Sequence, residues 1–120
     1  MKRDIDLLRK IMLQVEATNF DEIDLDWVYL NSDFFSKIGG NDDFVCKHIN
    51  LLEEAGLLEH LCGQWGAQTI RLTGKGFDFL DCVRNDDVWN TVKERIAITG
   101  GAPLEVIKWL AQEEVRKVVR

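Results

Sequence analysis

The residues with the clearest chemical potential are two pairs that combine cysteine with histidine, the ligand types that zinc prefers. Cys46 and His48 form the first pair, and His60 and Cys62 form the second. Two positions apart on a helix, side chains point about 200° away from each other, so the first pair cannot share one ion. His60 and Cys62 can lie on one face of a strand, but two ligands do not complete a zinc site. The sequence therefore predicts no metal site, and we expect Cys46 and Cys82 to be small core residues and His48 to be partly exposed.

Catalytic constellations are also missing from the sequence. Adjacent carboxylates such as Asp42-Asp43 have diverging side chains, so they cannot act as general acid and base on one substrate. The segment Gly74-Lys75-Gly76 is too short for a phosphate-binding loop, and no Ser or Thr follows it. The chain has two histidines, and the spacing of its residues does not predict a nucleophile held next to a base. We predict a protein that is not an enzyme and binds no cofactor.

The composition is that of a small acidic globular protein. The chain has 120 residues, of which 46% are hydrophobic and 30% charged, and its net charge is −6. These values favour one folded domain and exclude disorder by composition. No apolar run approaches the roughly 18 residues that a membrane span needs, so we expect no membrane association. The odd number of cysteines, three, lacks the spacing of a disulfide framework and predicts a reducing cytoplasm.

The acidic residues are concentrated in one part of the chain. Residues 16–59 contain eleven Asp and Glu but only two basic residues, Lys37 and Lys47, which gives a net charge of −9. Affinity for duplex DNA comes largely from neutralised phosphates. This segment therefore argues against a protein that coats phosphates without specificity.

Hydrophobic spacing predicts a mostly helical chain with one hairpin. Residues 23–29 alternate as a short strand with one wet face does. Asn41 can cap the long third helix, and Gly56 can take the left-handed conformation that ends it. The following helix is expected to bury Phe77 and Leu80, with Phe79 as a further candidate. In chain order, we predict helices over 4–17, 32–38, 42–55, 74–83, 86–99 and 103–119, and strands over 23–29, 57–61 and 68–72.

The order of these elements resembles that of winged helix-turn-helix proteins. Residues 45–58, VCKHINLLEEAGLL, look like the second helix of that motif running into its wing. Residues 71–80, RLTGKGFDFL, look like the returning wing strand and the helix that follows it. The resemblance implies one mostly α domain over 1–120 with a minor β part. It would consist of a winged-helix core with a two-stranded wing over 1–84 and two additional C-terminal helices over 85–120.

A closer resemblance covers nearly the whole chain. Residues 1–8, 51–57, 71–74 and 79–90 are similar to an uncharacterised bacterial and phage-encoded family, which is classed as a domain of unknown function and is often found near prophages. This resemblance implies a winged-helix fold and a mobile-element setting. It transfers no activity and no catalytic residue.

The first functional hypothesis is a non-enzymatic regulator that binds duplex DNA. In a helix-turn-helix, the second helix enters the major groove. There Lys47 can neutralise a phosphate and Asn50 can pair with adenine, while the four carboxylates beside them oppose binding. The residues expected to support this contact from the wing and its surroundings are Gln64, Trp65, Arg71 and Lys75.

The second hypothesis uses the acidic residues instead. Asp24 and Asp26 share one face of the extended piece, and Asp33 lies close in sequence. Such a surface could bind a basic host or phage protein, and the chain would then be an acidic interaction module that kept the winged-helix fold. Binding to random duplex at low salt would favour the first hypothesis, and its absence would favour the second.

The last helix predicts a homodimer. Its apolar face is broader than one small domain needs, and winged-helix proteins commonly pair through terminal helices. The alternative is that this helix packs against the first helix and closes the core. The residues that we expect at the dimer contact are Ile107, Trp109, Leu110 and Val118.

Overall fold

The structure is a computed structural model that describes residues 2–18, 27–63 and 66–118. This part of the chain is mostly helical and carries a small antiparallel sheet, as the sequence predicts. Its helices are α1 (Ile5–Ala17), α2 (Ser32–Ile38), α3 (Asp42–Glu54), α4 (Gly74–Val83), α5 (Asp86–Ala97) and α6 (Leu104–Val118), and its strands are β1 (Val28–Tyr29), β2 (Leu58–Cys62) and β3 (Gln68–Leu72). None of the helices so described is both long and apolar enough to cross a membrane.

Local capping explains where most of these helices begin. Asp4, Asn31, Asn41 and Asn85 each precede a helix, and each side chain accepts a hydrogen bond from a backbone N–H of the first turn. Gly56 follows α3 with a φ of 78°, the left-handed conformation expected for it. Because these signals are local, the predicted ends of the helices lie within two residues of the observed ones. Of the strand predicted over 23–29, residues 23–26 lie outside the described residues.

The chain divides into two compact units, Met1–Phe77 and Asp78–Arg120, and the division falls within α4. In the first unit, the strands of the sheet are ordered β1-β3-β2, with Val28 opposite Ile70 and Leu58 opposite Leu72. All four of these side chains are buried. Helices α1, α2 and α3 contribute the other main core side chains of this unit, which are Leu8, Ile11, Met12, Val15, Phe34, Ile38, Val45, Ile49 and Leu52.

The second unit is built around the pair of α5 and α6, which pack against each other. An ion pair of 3.3 Å between Arg95 Nη1 and Glu114 Oε1 joins these two helices at the surface. The buried side chains of this unit are Phe79, Leu80, Val83, Val88, Trp89, Val92, Ile96, Ile107, Leu110 and Ala111.

The prediction that α4 buries Phe77 is wrong, since 38% of this residue is exposed. The buried positions of α4 are Gly76, Phe79, Leu80 and Val83, which follow the three-four spacing of one helix face. Phe77 lies off that face. The expected burial of Leu80 is confirmed.

Candidate functional site

α3 buries one face and exposes the other, and this division decides what the helix can contact. Val45, His48, Ile49 and Leu52 are buried at three-four spacing. His48 is 0% exposed, so the prediction that it is partly exposed is wrong. The prediction that Cys46 is a core residue is wrong as well, because Cys46 lies off the buried face of α3 and is exposed.

Hydrogen bonds at both ring nitrogens hold His48 in the core. The backbone N–H of Asp4 donates to Nε2 at 2.9 Å, so Nε2 must be an acceptor. The proton is therefore on Nδ1, which donates to the carbonyl oxygen of Phe44 at 2.8 Å. The ring of Phe44 also packs on the imidazole, with 4.4 Å between centroids. His48 is thus a structural residue that ties the start of α1 to α3 and fixes which face of α3 points outward.

The outer face of α3 is acidic at both ends. Lys47 and Asn50 lie together in the middle of this face, one turn apart, as the sequence predicts for a pair that could contact DNA. Four carboxylates surround one lysine, so this face has a formal charge of −3. We call it the α3 face and define it by its exposed residues Asp42, Asp43, Cys46, Lys47, Asn50, Glu53 and Glu54.

The negative charge of the α3 face contributes to the pKa of the Cys46 thiol. Partial burial, followed by the nearby carboxylates of Asp43 and Asp42, raises the pKa of Cys46 above its ordinary value. The carboxylates contribute because a thiolate at this position would face two like charges. Burial is the larger cause, and the two carboxylates shift the pKa in the same direction.

A shallow cleft of about 330 Å³ adjoins the N-terminal end of α3. Asp4, Asp6 and Lys10 of α1 and its cap line one side, and Gly40 and Phe44 line the other. The two carboxylates and the lysine give the cleft a formal charge of −1. The cleft therefore continues the acidic character of the α3 face toward α1, but more weakly than the α3 face itself.

Arg71 is held by neighbours on the outer surface of the sheet. Its Nε and Nη2 each donate to a carboxylate oxygen of Glu59 at 3.0 Å, across the register that places the two residues opposite each other. The ring of Trp27 lies 5.3 Å from the guanidinium carbon. This bidentate pair neutralises the cation that the sequence analysis assigned to DNA. Lys75 is exposed on the first turn of α4.

The remaining residues assigned to DNA, Gln64 and Trp65, lie outside the described residues. So do Asp24 and Asp26 of the proposed acidic surface. Asp33 is exposed at the start of α2, where its carboxylate forms an ion pair with Lys37 at 3.2 Å. The acidic residues that the structure brings together are therefore those of α3, which the sequence analysis treated only as an obstacle to DNA binding.

The second Cys and His pair meets through a residue that the sequence analysis did not single out. The side-chain amide of Gln68 lies between the two: its oxygen is hydrogen-bonded to His60 Nε2, and its N–H donates to Cys62 Sγ at 3.1 Å. Glu53 Oε2 lies 3.5 Å from His60 Nδ1. This contact follows from the strand register, which places Gln68 opposite Cys62 and which the sequence leaves open. Within the ranges that the structure describes, no three His, Cys, Asp or Glu residues are grouped to hold a metal ion.

The four residues assigned to a dimer contact have different environments. Ile107 and Leu110 are 0% and 9% exposed, because α6 turns them into the core of its own unit. This corrects their assignment to a surface contact. Trp109 and Val118 are exposed, at 55% and 70%.

The fold and the α3 face define a mostly helical protein with an acidic outer helix. Comparison with known proteins identifies its family. The sequence profile of the family described as "Hypothetical protein (DUF2513)" matches residues 2–102, so the chain belongs to this family. The chain is also 32% identical over 124 residues to an uncharacterized protein of Haemophilus influenzae, and the match covers 99% of each chain. The expected resemblance to a family of unknown function is confirmed. No solved structure matches the chain.

Proposed function

We propose that this chain is a non-enzymatic interaction module of winged-helix type, and that its α3 face binds a basic segment of a partner protein. The observation that supports this proposal most directly is the exposure of Asp42, Asp43, Glu53 and Glu54 around the single cation of Lys47. Such a surface attracts Lys and Arg side chains over distances of about 8–10 Å at physiological salt.

The order of elements in the first unit supports the winged-helix part of the proposal. α2 and α3 are separated by the short Gly39-Gly40-Asn41 turn, as the two helices of a helix-turn-helix are. The β2–β3 hairpin then follows α3 in the position of a wing, and β1 adds a third strand to it. In DNA-binding proteins of this type, the second helix of the motif lies in the major groove.

Electrostatics favour a basic protein over duplex DNA at this surface. A protein gains affinity for duplex by neutralising phosphates, with a slope of about −0.9 in log K against log salt for each phosphate contact. The α3 face offers Lys47 alone for this purpose, and Arg71 is already paired with Glu59. Carboxylates at both ends of α3 would approach the two phosphate backbones that flank the groove.

The spacing of the carboxylates indicates what the partner segment looks like. Asp42 and Glu53 are eleven residues apart, and so are Asp43 and Glu54. At 1.5 Å per residue this separation is about 16 Å. We therefore propose a segment with two basic clusters about three helical turns apart, one near the cleft beside Phe44 and one near the end of α3.

A regulator that binds duplex DNA is the second candidate. The observation that favours it is the position of Lys47 and Asn50, one turn apart in the middle of the exposed face. This is where a reading helix presents its base contacts, and Asn is suited to adenine. In this case the carboxylates would restrict binding to a few base contacts with few phosphate contacts.

One titration separates the two candidates. Fluorescence anisotropy of the full chain would be measured against a labelled helical peptide with lysine pairs eleven residues apart and against a labelled random duplex, both at low salt. We expect binding to the peptide, and a loss of at least tenfold in the variant Asp43→Lys/Glu54→Lys. The matched control, Asp87→Lys/Glu94→Lys on α5, changes the net charge equally and should keep the affinity.

The opposite result would replace the first candidate with the second. Salt-dependent binding to the duplex that falls when Lys47 is changed to Ala, with no binding to the peptide, would favour the regulator. Equal losses in the α3 and α5 variants would show that net charge alone governs binding, which would remove the α3 face as a site.

We also propose a phage- or prophage-related setting and a cytoplasmic location. The proposed setting rests on the family resemblance of residues 1–8 and 79–90 that the sequence analysis describes. The three cysteines, Cys46, Cys62 and Cys82, are all free thiols, which supports a reducing compartment.

A further inference from the structure

α6 presents a second exposed surface, which is separate from the α3 face. Its buried side is formed by Ile107, Leu110 and Ala111. The opposite side carries a stripe of four residues in which Glu105, Trp109 and Arg116 are exposed and Gln112 is half-buried. We call these four residues the α6 stripe.

The α6 stripe is self-complementary. Its members are separated by four, three and four positions, so the spacing is the same when the helix is read backward. Two copies of α6 that run antiparallel about a twofold axis would therefore align Glu105 with Arg116 of the second copy at both ends. Trp109 would lie opposite Gln112 of the second copy in the middle.

We propose that α6 pairs antiparallel with α6 of a second copy of this chain through the α6 stripe. Charge complementarity selects this occupant and this orientation. A parallel pair would place Glu105 against Glu105 and Arg116 against Arg116, which is repulsive at both ends. The proposal is independent of the function proposed for the α3 face, because it uses none of its residues.

The side chains at the ends of the stripe are accessible for this pairing. Arg116 Nη1 lies 3.5 Å from Glu113 Oε1 on its own helix, and the Arg116 side chain is 75% exposed. An exposed pair of this kind is weak and can exchange for a carboxylate of the second copy. Trp109 supplies the apolar contact, with 55% of its surface exposed, and the charges decide orientation.

Charge exchange tests the proposal on the full chain. Sedimentation equilibrium would give the mass of the wild type over a range of concentrations, where we expect a rise from the monomer mass to twice that value. Glu105→Arg places like charges at both ends of the pair, and so does Arg116→Glu. We expect each single variant to stay at the monomer mass at concentrations where the wild type is dimeric.

Two further samples distinguish pairing from a loss of structure. In an equimolar mixture of the two single variants, each end of a mixed pair again joins opposite charges, so we expect the dimer mass to return. The double variant Glu105→Arg/Arg116→Glu restores the same complementarity within one chain and should also dimerise. The control Lys37→Glu, which reverses a lysine paired with Asp33 on its own helix, should keep the wild-type mass.

Three results would overturn the proposal. The first is a wild type that is monomeric at all concentrations, and the second is a single variant that dimerises as the wild type does. The third is a mixture of folded single variants, with wild-type circular dichroism, that does not regain the dimer mass. Because Asp43→Lys/Glu54→Lys leaves the α6 stripe intact, its mass should match that of the wild type whatever it does to peptide binding.

Discussion

The α3 face and the α6 stripe are two exposed helix surfaces with the same spacing and different charge arrangements. In both, charged residues are separated by eleven positions, from Asp42 to Glu53 on α3 and from Glu105 to Arg116 on α6. The two ends of the α3 face have the same sign, whereas the two ends of the α6 stripe have opposite signs.

This difference determines which kind of partner each surface fits. A helix with like charges at its ends repels an antiparallel copy of itself and attracts a partner with the opposite charge. A helix with opposite charges at its ends matches an antiparallel copy of itself. The compositions of the two helices differ in the same sense, since α3 has four acidic residues and one lysine, whereas α6 has three acidic and three basic residues.

The largest expected effect comes from disturbing the chain that leaves α3. Gly76 packs against the segment after Gly56, and a Cβ there would lie well inside van der Waals contact with the Leu57 carbonyl oxygen and 3.2 Å from Leu72 Cδ2. Since a backbone oxygen cannot move aside cheaply, we expect Gly76→Ala to lower the free energy of unfolding by about 3 kcal/mol. Urea unfolding followed by circular dichroism measures this loss.

The matched control for this prediction is Gly74→Ala, two residues earlier in α4. A Cβ at Gly74 meets open space, and alanine is the better helix former, so stability should stay the same or rise by roughly 0.5 kcal/mol. Equal losses in both variants would contradict the close approach and would indicate a general intolerance of side chains in this turn.

The packing role of Gly76 could not be predicted from the sequence. Asn41 and Gly56 could be assigned as cap and terminator because their partners lie within a few residues of them. The role of Gly76 depends on Leu57, nineteen positions away, and spacing within the chain does not reveal that contact. The sequence analysis rejected a phosphate-binding loop at Gly74-Lys75-Gly76 and assigned no packing role to Gly76.

The next largest effect concerns the residue that fixes the orientation of α3. We expect His48→Ala to lower the free energy of unfolding by about 2 kcal/mol, because it leaves the Asp4 N–H without its acceptor and opens a cavity. Urea unfolding again provides the measurement. The control His60→Ala removes a half-exposed imidazole and should cost less than about 1 kcal/mol. Similar costs would show that His48 supports the fold no more than a surface histidine.

The candidate site was only partly predictable for a similar reason. Lys47 and Asn50 share a face by helix periodicity, which the sequence contains. Burial of His48 was present in the same periodicity but was overlooked because histidine is intermediate in its tendency to be buried. The pairing of Arg71 with Glu59 depends on the register of the hairpin, and the sequence left that register open.

A smaller effect is expected in an experiment that uses Cys46 to probe the negative charge of the α3 face. Because burial and the carboxylates of Asp43 and Asp42 raise the pKa of Cys46, its reactive thiolate is depleted at pH 8. Asp42→Asn/Asp43→Asn should lower this pKa and speed alkylation of Cys46 by iodoacetamide, because the thiolate would no longer face two like charges. Peptide mass spectrometry measures the rate at each cysteine.

Cys82 serves as the internal control in the same sample. Burial raises the pKa of Cys82, Lys108 lowers it, and its acidic neighbours are Asp81 and Asp78, so its alkylation rate should not respond to changes on α3. An unchanged rate at Cys46 would indicate that burial alone causes its shift and that the α3 face has a weaker field than its four carboxylates imply.

The smallest expected effect tests how the α3 face and the pairing of Arg71 with Glu59 each contribute to the weak affinity for duplex DNA that we propose. Glu59→Gln releases Arg71 from its bidentate partner and should change the free energy of unfolding by less than about 1 kcal/mol, as exposed pairs do. One freed cation can add about one phosphate contact, which steepens the salt slope by up to about 0.9. Anisotropy with a random duplex should therefore show a gain of only a few-fold, and the control Glu94→Gln on α5 should show none. A large gain from Glu59→Gln alone would mean that the hairpin governs access to DNA and that the carboxylates of α3 do not. A large gain that appears only after Asp43→Asn and Glu54→Gln are added would mean that the carboxylates of the α3 face oppose DNA binding.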